Sequence, residues 1–170
     1  MSNQWIQYGI YFVAFLLIQG LIINNIALSI YVYPMVYVIA IMMLPFETNV
    51  LLAMGIALIM GFGLDILSDT FGLHTSASLF LAYIRPFILK VLQPRDGYEN
   101  NKLPTVHDMG YTWFLAYAFV CLILHHTWFF AFEIFRFDLI GLLVLKVIFS
   151  SLASFILIFI FQFLFYKPSK

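Results

Sequence analysis

The chain has 170 residues, of which 64% are hydrophobic and 9% charged, where an ordinary soluble domain carries roughly 25% charged residues. Eight basic and eight acidic side chains cancel; no basic face is available for phosphates, which speaks against a nucleic acid as partner. The single cysteine, Cys121, lies in an apolar run, so a disulfide framework and a Cys-based zinc site are both out of reach and the residue reads as a small buried hydrophobe.

A mean hydropathy of +1.03, with no charged side chain before Glu47, describes an all-α polytopic bundle in the lipid bilayer, one integral membrane domain over 1–170. No Lys or Arg precedes the first apolar run and no Ala-x-Ala-like site follows it, so that run reads as a retained span and not a cleaved signal. Forty-six uncharged residues are about twice the ~20 needed to cross ~30 Å of hydrocarbon, so the stretch must fold back once. The reversal is placed at Asn24-Asn25, which gives a first span over 5–23 and a second over 30–44, with Pro34 early in the second helix, where a missing N–H costs least. A third span over 48–67 and a fourth over 72–92 are joined by the turn Ser68-Asp69-Thr70. A polar segment, Gln93 to Asp108, precedes a fifth span over 111–132 and a sixth over 139–165.

Six spans place both termini on one side. Lys90, Arg95, Lys102, Lys167 and Lys170 fall on that side and Arg136 alone on the other, so the positive-inside rule makes the termini cytoplasmic. Trp5, Tyr111, Trp113 and Tyr166 on the inside, and Tyr31, Tyr33 and Trp128 towards the outside, read as interfacial anchors.

Ala53, Ala57, Gly61, Asp65 and Asp69 recur every four residues in the third span and form one stripe. The three small residues suit close helix packing, either inside the bundle or against a partner protein. An ionised Asp65 within hydrocarbon needs a partner or a cavity. It lies about one turn, ~6 Å, from the outer end of its helix, and Lys146 lies about two turns, ~10 Å, from the outer end of the sixth. An Asp65–Lys146 ion pair is therefore expected, with Arg136 as the fallback. Arg85, ~20 Å from the outer end, is expected to snorkel to the cytoplasm.

Asp69, His74, His125, His126 and Glu133 complete an outer polar cluster that fixes helix packing; no His-x3-His or Glu-x-x-His element accompanies it, and no metal or cofactor is expected. None of the helix serines sits in a Gly-x-Ser-x-Gly frame or beside a His in sequence, and no phosphate-cradling Gly-rich loop occurs, so no catalytic residue is nominated.

The run Gly61-Phe62-Gly63-Leu64-Asp65-Ile66-Leu67-Ser68-Asp69-Thr70-Phe71-Gly72-Leu73-His74, followed by a small-polar and apolar run to Tyr83, resembles the MreD family of bacterial rod shape-determining membrane proteins. The family pattern is a Gly, an Asp four residues later, a short turn, then Gly-Leu and a helix ending in Ala-Tyr; here these are Gly61, Asp65, Gly72, Leu73, Ala82 and Tyr83. The segment Gln93 to Asn100 is similar to one branch of that family. The resemblance implies a non-enzymatic inner-membrane component of the cell-elongation machinery. It would bind the bitopic protein MreC and, through it, reach MreB filaments, RodA and its transpeptidase, in support of peptidoglycan synthesis and cell shape. The family also resembles, in its six-helix build, the substrate-binding components of energy-coupling vitamin transporters. Those dock through a small-xxx-small face on the first helix, whereas Gly9, Ala14 and Gly20 are spaced here by five and six.

Overall fold

The computed structural model describes residues 2–26, 29–99 and 102–165. Asn100, Tyr166, Lys167, Lys170 and the side chain of Trp5 lie outside the described residues. The elements are α1 (Ser2–Leu17), α2 (Val38–Met42), α3 (Val50–Ser68), α4 (Leu73–Val91), α5 (Val106–Met109), α6 (Tyr111–Ile134) and α7 (Ile140–Phe165). α1 is prolonged by a π-helical turn, Ile18–Ile22, and a 3₁₀ turn, Ile23–Asn25. No strand occurs among the described residues, only an isolated bridge between Ser29 and Val32. Among the described residues, four helical stretches are long and apolar enough to cross a membrane: Tyr8–Asn25, Val50–Ser68, Tyr111–Ile134 and Phe137–Leu164.

Helices α3 and α4 form an antiparallel hairpin in which backbone touches backbone. A Cβ on Gly61 would meet Thr75 Cα at 2.4 Å, Thr75 N at 2.7 Å and the His74 carbonyl oxygen at 2.8 Å, so only glycine allows this approach. Ala53 and Ala57 are buried on the same face. Of the two readings left open by the small-residue stripe, packing within the chain is the one observed. α1 and its π turn meet α3 on another side, with Gly20 against Leu67 and Leu16 against Gly63.

The second expected span is not a helix of crossing length. Only Val38–Met42 is α-helical; residues 31–37 are turns and irregular backbone. Pro34 lacks an N–H and restricts the residue before it to extended backbone, and Ile30, Val32, Val36 and Val38 add β-branched stiffness. Pro34 therefore breaks the helix instead of starting it. The segment passes through the centre of the bundle: from Met35 to Leu44 every residue but Ala40 is at most 2% exposed.

At the far end, the polar segment is folded against the bundle. Phe46 stacks on Tyr98 with ring centroids 4.1 Å apart, and Trp113 packs edge-on to Phe46 at 5.8 Å. Tyr98 OH donates to the Leu89 carbonyl at 2.7 Å, and Trp113 Nε1 donates to that of Leu92 at 2.8 Å. Burial raises the Tyr98 phenol above its ordinary pKa. Trp113 thus helps seat this segment in addition to any anchoring in lipid.

Candidate functional site

The residues singled out by the sequence motif converge on the start of α4. Gly72, at the position before the first helical residue, has φ +83° and no side chain with which to cap the helix. Asp65 of α3 supplies the cap. Its Oδ1 accepts from His74 N–H at 3.0 Å and Thr70 Oγ1 at 2.5 Å, and its Oδ2 from Thr75 N–H at 2.9 Å and Thr75 Oγ1 at 2.5 Å. A carboxylate at a helix N-terminus meets otherwise unpaired N–H groups and the positive end of the helix dipole, which answers the cost of an aspartate that is only 7% exposed. Asp69 closes α3 in a left-handed conformation, φ 50°, and is exposed. Leu73 is the first residue of α4, while Tyr83 lies apart from this cluster, 55% exposed on α4.

The expected Asp65–Lys146 ion pair is replaced by two separate arrangements. Lys146 Nζ bonds Glu133 Oε2 at 2.7 Å and stands over the Phe130 ring at 5.2 Å. Lys146 meets α6, whereas Asp65 meets α4. The fallback, Arg136, pairs with Asp138 in the turn after α6, at 3.1 and 2.6 Å.

A second set of residues serves the backbone of the enclosed segment. Gln19, in the π turn, accepts from Val36 N–H at 2.7 Å and donates to the Pro34 carbonyl at 3.0 Å. On α7, Ser150 Oγ accepts from Tyr33 N–H at 2.9 Å, and Ser154 Oγ from Met35 N–H at 2.8 Å. At the other end Arg85 reaches the carbonyls of Leu44, Met42 (3.4 Å) and Pro45 (3.5 Å). Its Nε donates to Tyr117 OH at 2.9 Å, which in turn donates to the Met42 carbonyl at 3.0 Å. Each unmet backbone group in a water-free interior costs several kcal/mol, so these side chains stand in for the missing helical ladder.

Arg85 is 1% exposed: it does not snorkel, because the broken segment offers it carbonyls indoors. Sequence reasoning nominated neither Gln19, Ser150 nor Ser154. The available signal was an amide, Gln19, deep in the first apolar run and two serines four apart on α7.

Between these two sets, Tyr37 OH sits 3.1 Å from His74 Nδ1 and 2.9 Å from His125 Nε2. It has one proton, so it donates to one imidazole and accepts from the other. His126 Nδ1 faces the Leu122 carbonyl at 2.8 Å and is therefore the protonated nitrogen; Nε2 accepts from Ser154 Oγ at 3.1 Å. The fold thus brings a serine beside a histidine, as the sequence did not suggest. Both are fully buried and Ser154 Oγ is already bonded to Met35 N–H, which makes the pair part of the packing of the enclosed segment.

Cys121 is buried and free. Among the described residues no group of three or more His, Cys, Asp or Glu is placed to hold a metal ion. Comparison with family models, with curated proteins and with solved structures gives no match to this chain.

Proposed function

We propose that this protein is a non-enzymatic scaffold of the MreD type in the bacterial inner membrane. In this reading it binds the bitopic protein MreC and thereby links MreB filaments to RodA and its transpeptidase during cell elongation. The observation that carries the reading is how the motif residues are used. Gly61, Asp65 and Gly72 are spent on holding two helix backbones together, a use suited to presenting a rigid surface. The alternative, a vitamin-binding transporter component, is disfavoured because the centre of the bundle, where a ligand would sit, is filled by Met35 to Leu44.

In this reading the chain crosses the membrane six times, through α1, the enclosed segment, α3, α4, α6 and α7. α4 has 19 residues, enough for the crossing, and its buried Arg85, Ser78 and His74 face protein, as polar groups in membrane helices do. The termini and residues 93–110 are cytoplasmic on the count of basic residues.

The deciding experiment is depletion in the native cell under the microscope, paired with purification from the membrane. Loss of elongation, rounding of the cells and co-purification of a bitopic coiled-coil protein are expected. Unaltered shape on depletion, or a vitamin recovered with the purified protein, would overturn the reading. Labelling of a cysteine at Asn100 from the periplasm would overturn the orientation.

A further inference from the structure

His74 on α4, Tyr37 in the enclosed segment and His125 on α6 form a hydrogen-bonded trio, with steps of 3.1 Å from His74 Nδ1 to Tyr37 OH and 2.9 Å from there to His125 Nε2. All three side chains are fully buried. The two end nitrogens, His74 Nε2 and His125 Nδ1, have no hydrogen-bond partner. His126 is held differently, with Nδ1 on the Leu122 carbonyl and Nε2 on Ser154 Oγ.

The proton count limits what the trio can do. A neutral imidazole carries one N–H and one bare nitrogen, and Tyr37 carries one O–H. Either His74 donates to Tyr37 and Tyr37 to His125, or the direction is reversed. In the first arrangement His74 Nε2 is bare and His125 Nδ1 holds an N–H; in the second these roles are exchanged. Both contain the same two hydrogen bonds, one unmet N–H and one unmet lone pair, so only the surroundings separate them in energy. For His126 the Leu122 carbonyl, which can only accept, leaves a single arrangement. A cluster that served packing alone would close its ends as His126 does, because a buried polar group without a partner is costly.

We propose that His74, Tyr37 and His125 form a proton shuttle, with water as donor and acceptor at the two end nitrogens. A hydronium ion protonates the bare His74 Nε2. His74 Nδ1 passes its proton to the Tyr37 oxygen, Tyr37 passes its own to His125 Nε2, and the proton on His125 Nδ1 leaves to water. Within the trio three bonds to hydrogen form and three break, so its charge is unchanged. The passage leaves the trio in the reversed arrangement, and the next proton must travel back.

Fixed charges decide which end is open. His74 is the second residue of α4 and its N–H bonds the Asp65 carboxylate, whose other donors, from Thr70 and Thr75, are also uncharged. That negative charge offsets the positive charge in transit. On α6, Cys121 and Tyr117 lie one and two turns beyond His125, and Tyr117 OH holds the Arg85 guanidinium at 2.9 Å. A buried arginine repels a proton, so the route closes there. Glu133 and Lys146 neutralise each other. The shuttle therefore exchanges protons with the side on which α4 begins, the outer side in the six-span reading.

The test is nitrogen NMR of the full chain, isotopically labelled at histidine, in lipid nanodiscs, where the shift of each ring nitrogen reports its protonation. Both tautomers are expected at His74 and at His125, against Nδ1–H alone at His126. The minor form should reach about a tenth of the major or more, since arrangements with the same bonds should lie within about 1.4 kcal/mol. Saturating the water resonance should erase the N–H signals of His74 and His125 and spare that of His126. Tyr37→Phe keeps the ring and removes the proton carrier, so exchange between tautomers should stop. A single tautomer at His74 and His125 in the wild type would overturn the proposal, as would exchange that persists in Tyr37→Phe. Should that variant not fold, the wild-type spectra decide alone. The elongation reading stands or falls separately, on depletion and co-purification.

Discussion

Replacing Gly61 by alanine tests the closest contact in the fold. The added Cβ would lie 2.4 Å from Thr75 Cα, where ordinary contact begins near 3.4 Å, so the two backbones must part by about 1 Å (3.4 − 2.4). The obstructing atoms are backbone and cannot rotate aside. Asp65, one turn further along α3, bonds His74 N–H at 3.0 Å and Thr75 N–H at 2.9 Å; a shift of about 1 Å carries both past hydrogen-bond range. Overpacking typically costs 1–3 kcal/mol, and a hydrogen bond to a charged group contributes about 1.5–3 kcal/mol. Since the helices relieve one cost by incurring the other, a net loss of about 2–4 kcal/mol is expected. Gly55, in the same helix, has nothing within 4 Å of its ideal Cβ, and alanine there should gain about 0.5–1 kcal/mol from helix propensity. Thermal melting of the two variants in one detergent provides the comparison. If Gly61→Ala melts no lower than Gly55→Ala, the backbone contact and the cap built upon it are refuted.

Three further substitutions follow from the same structure. Asp65→Asn keeps one acceptor oxygen of two and should cost about 1–3 kcal/mol; combined with Lys146→Met the losses should add, because the two residues share no partner, and rescue in the double variant would restore the ion pair set aside above. Gln19→Leu leaves Val36 N–H and the Pro34 carbonyl unmet, so a loss of about 2–5 kcal/mol in melting is expected, and Gln19→Glu, which keeps the acceptor but not the donor, should recover only part. Arg85→Lys cannot span Tyr117 and the carbonyls together; it should fall close to Arg85→Met in yield of folded protein, and a lysine variant matching the wild type would show that charge alone suffices.

Much of the helical frame is legible in the sequence. α3, α4, α6 and α7 begin and end within about two residues of their expected bounds, because polar turns and glycines punctuate long apolar runs there. The second span is misread because hydropathy records only that Ile30 to Leu44 avoid water. A lipid-facing helix and an irregular segment enclosed by protein satisfy that condition equally. Arg85 and Lys146 are misplaced for a related reason: depth can be counted along a helix, but which neighbour a side chain meets depends on rotation about its axis. Asp65, buried as its place in an apolar helix implies, does need compensation. The donors that provide it are two backbone N–H groups and two threonine hydroxyls, which carry no charge and leave no mark in a search for opposite signs.

The enclosed segment also sets an order on assembly. Tyr33 waits for a serine 117 residues further along the chain, and Met35 for one 119 residues away. At a synthesis rate of about 5–20 residues per second, some 6–24 s pass between the emergence of Met35 and that of Ser154. Throughout that interval α7 is missing from the bundle, and the stretch from Tyr31 to Met35 has neither a helical ladder nor the hydroxyls that replace it. The middle of the protein is therefore completed only when α7 arrives, and a chain ending before Ser150 holds an unfinished interior.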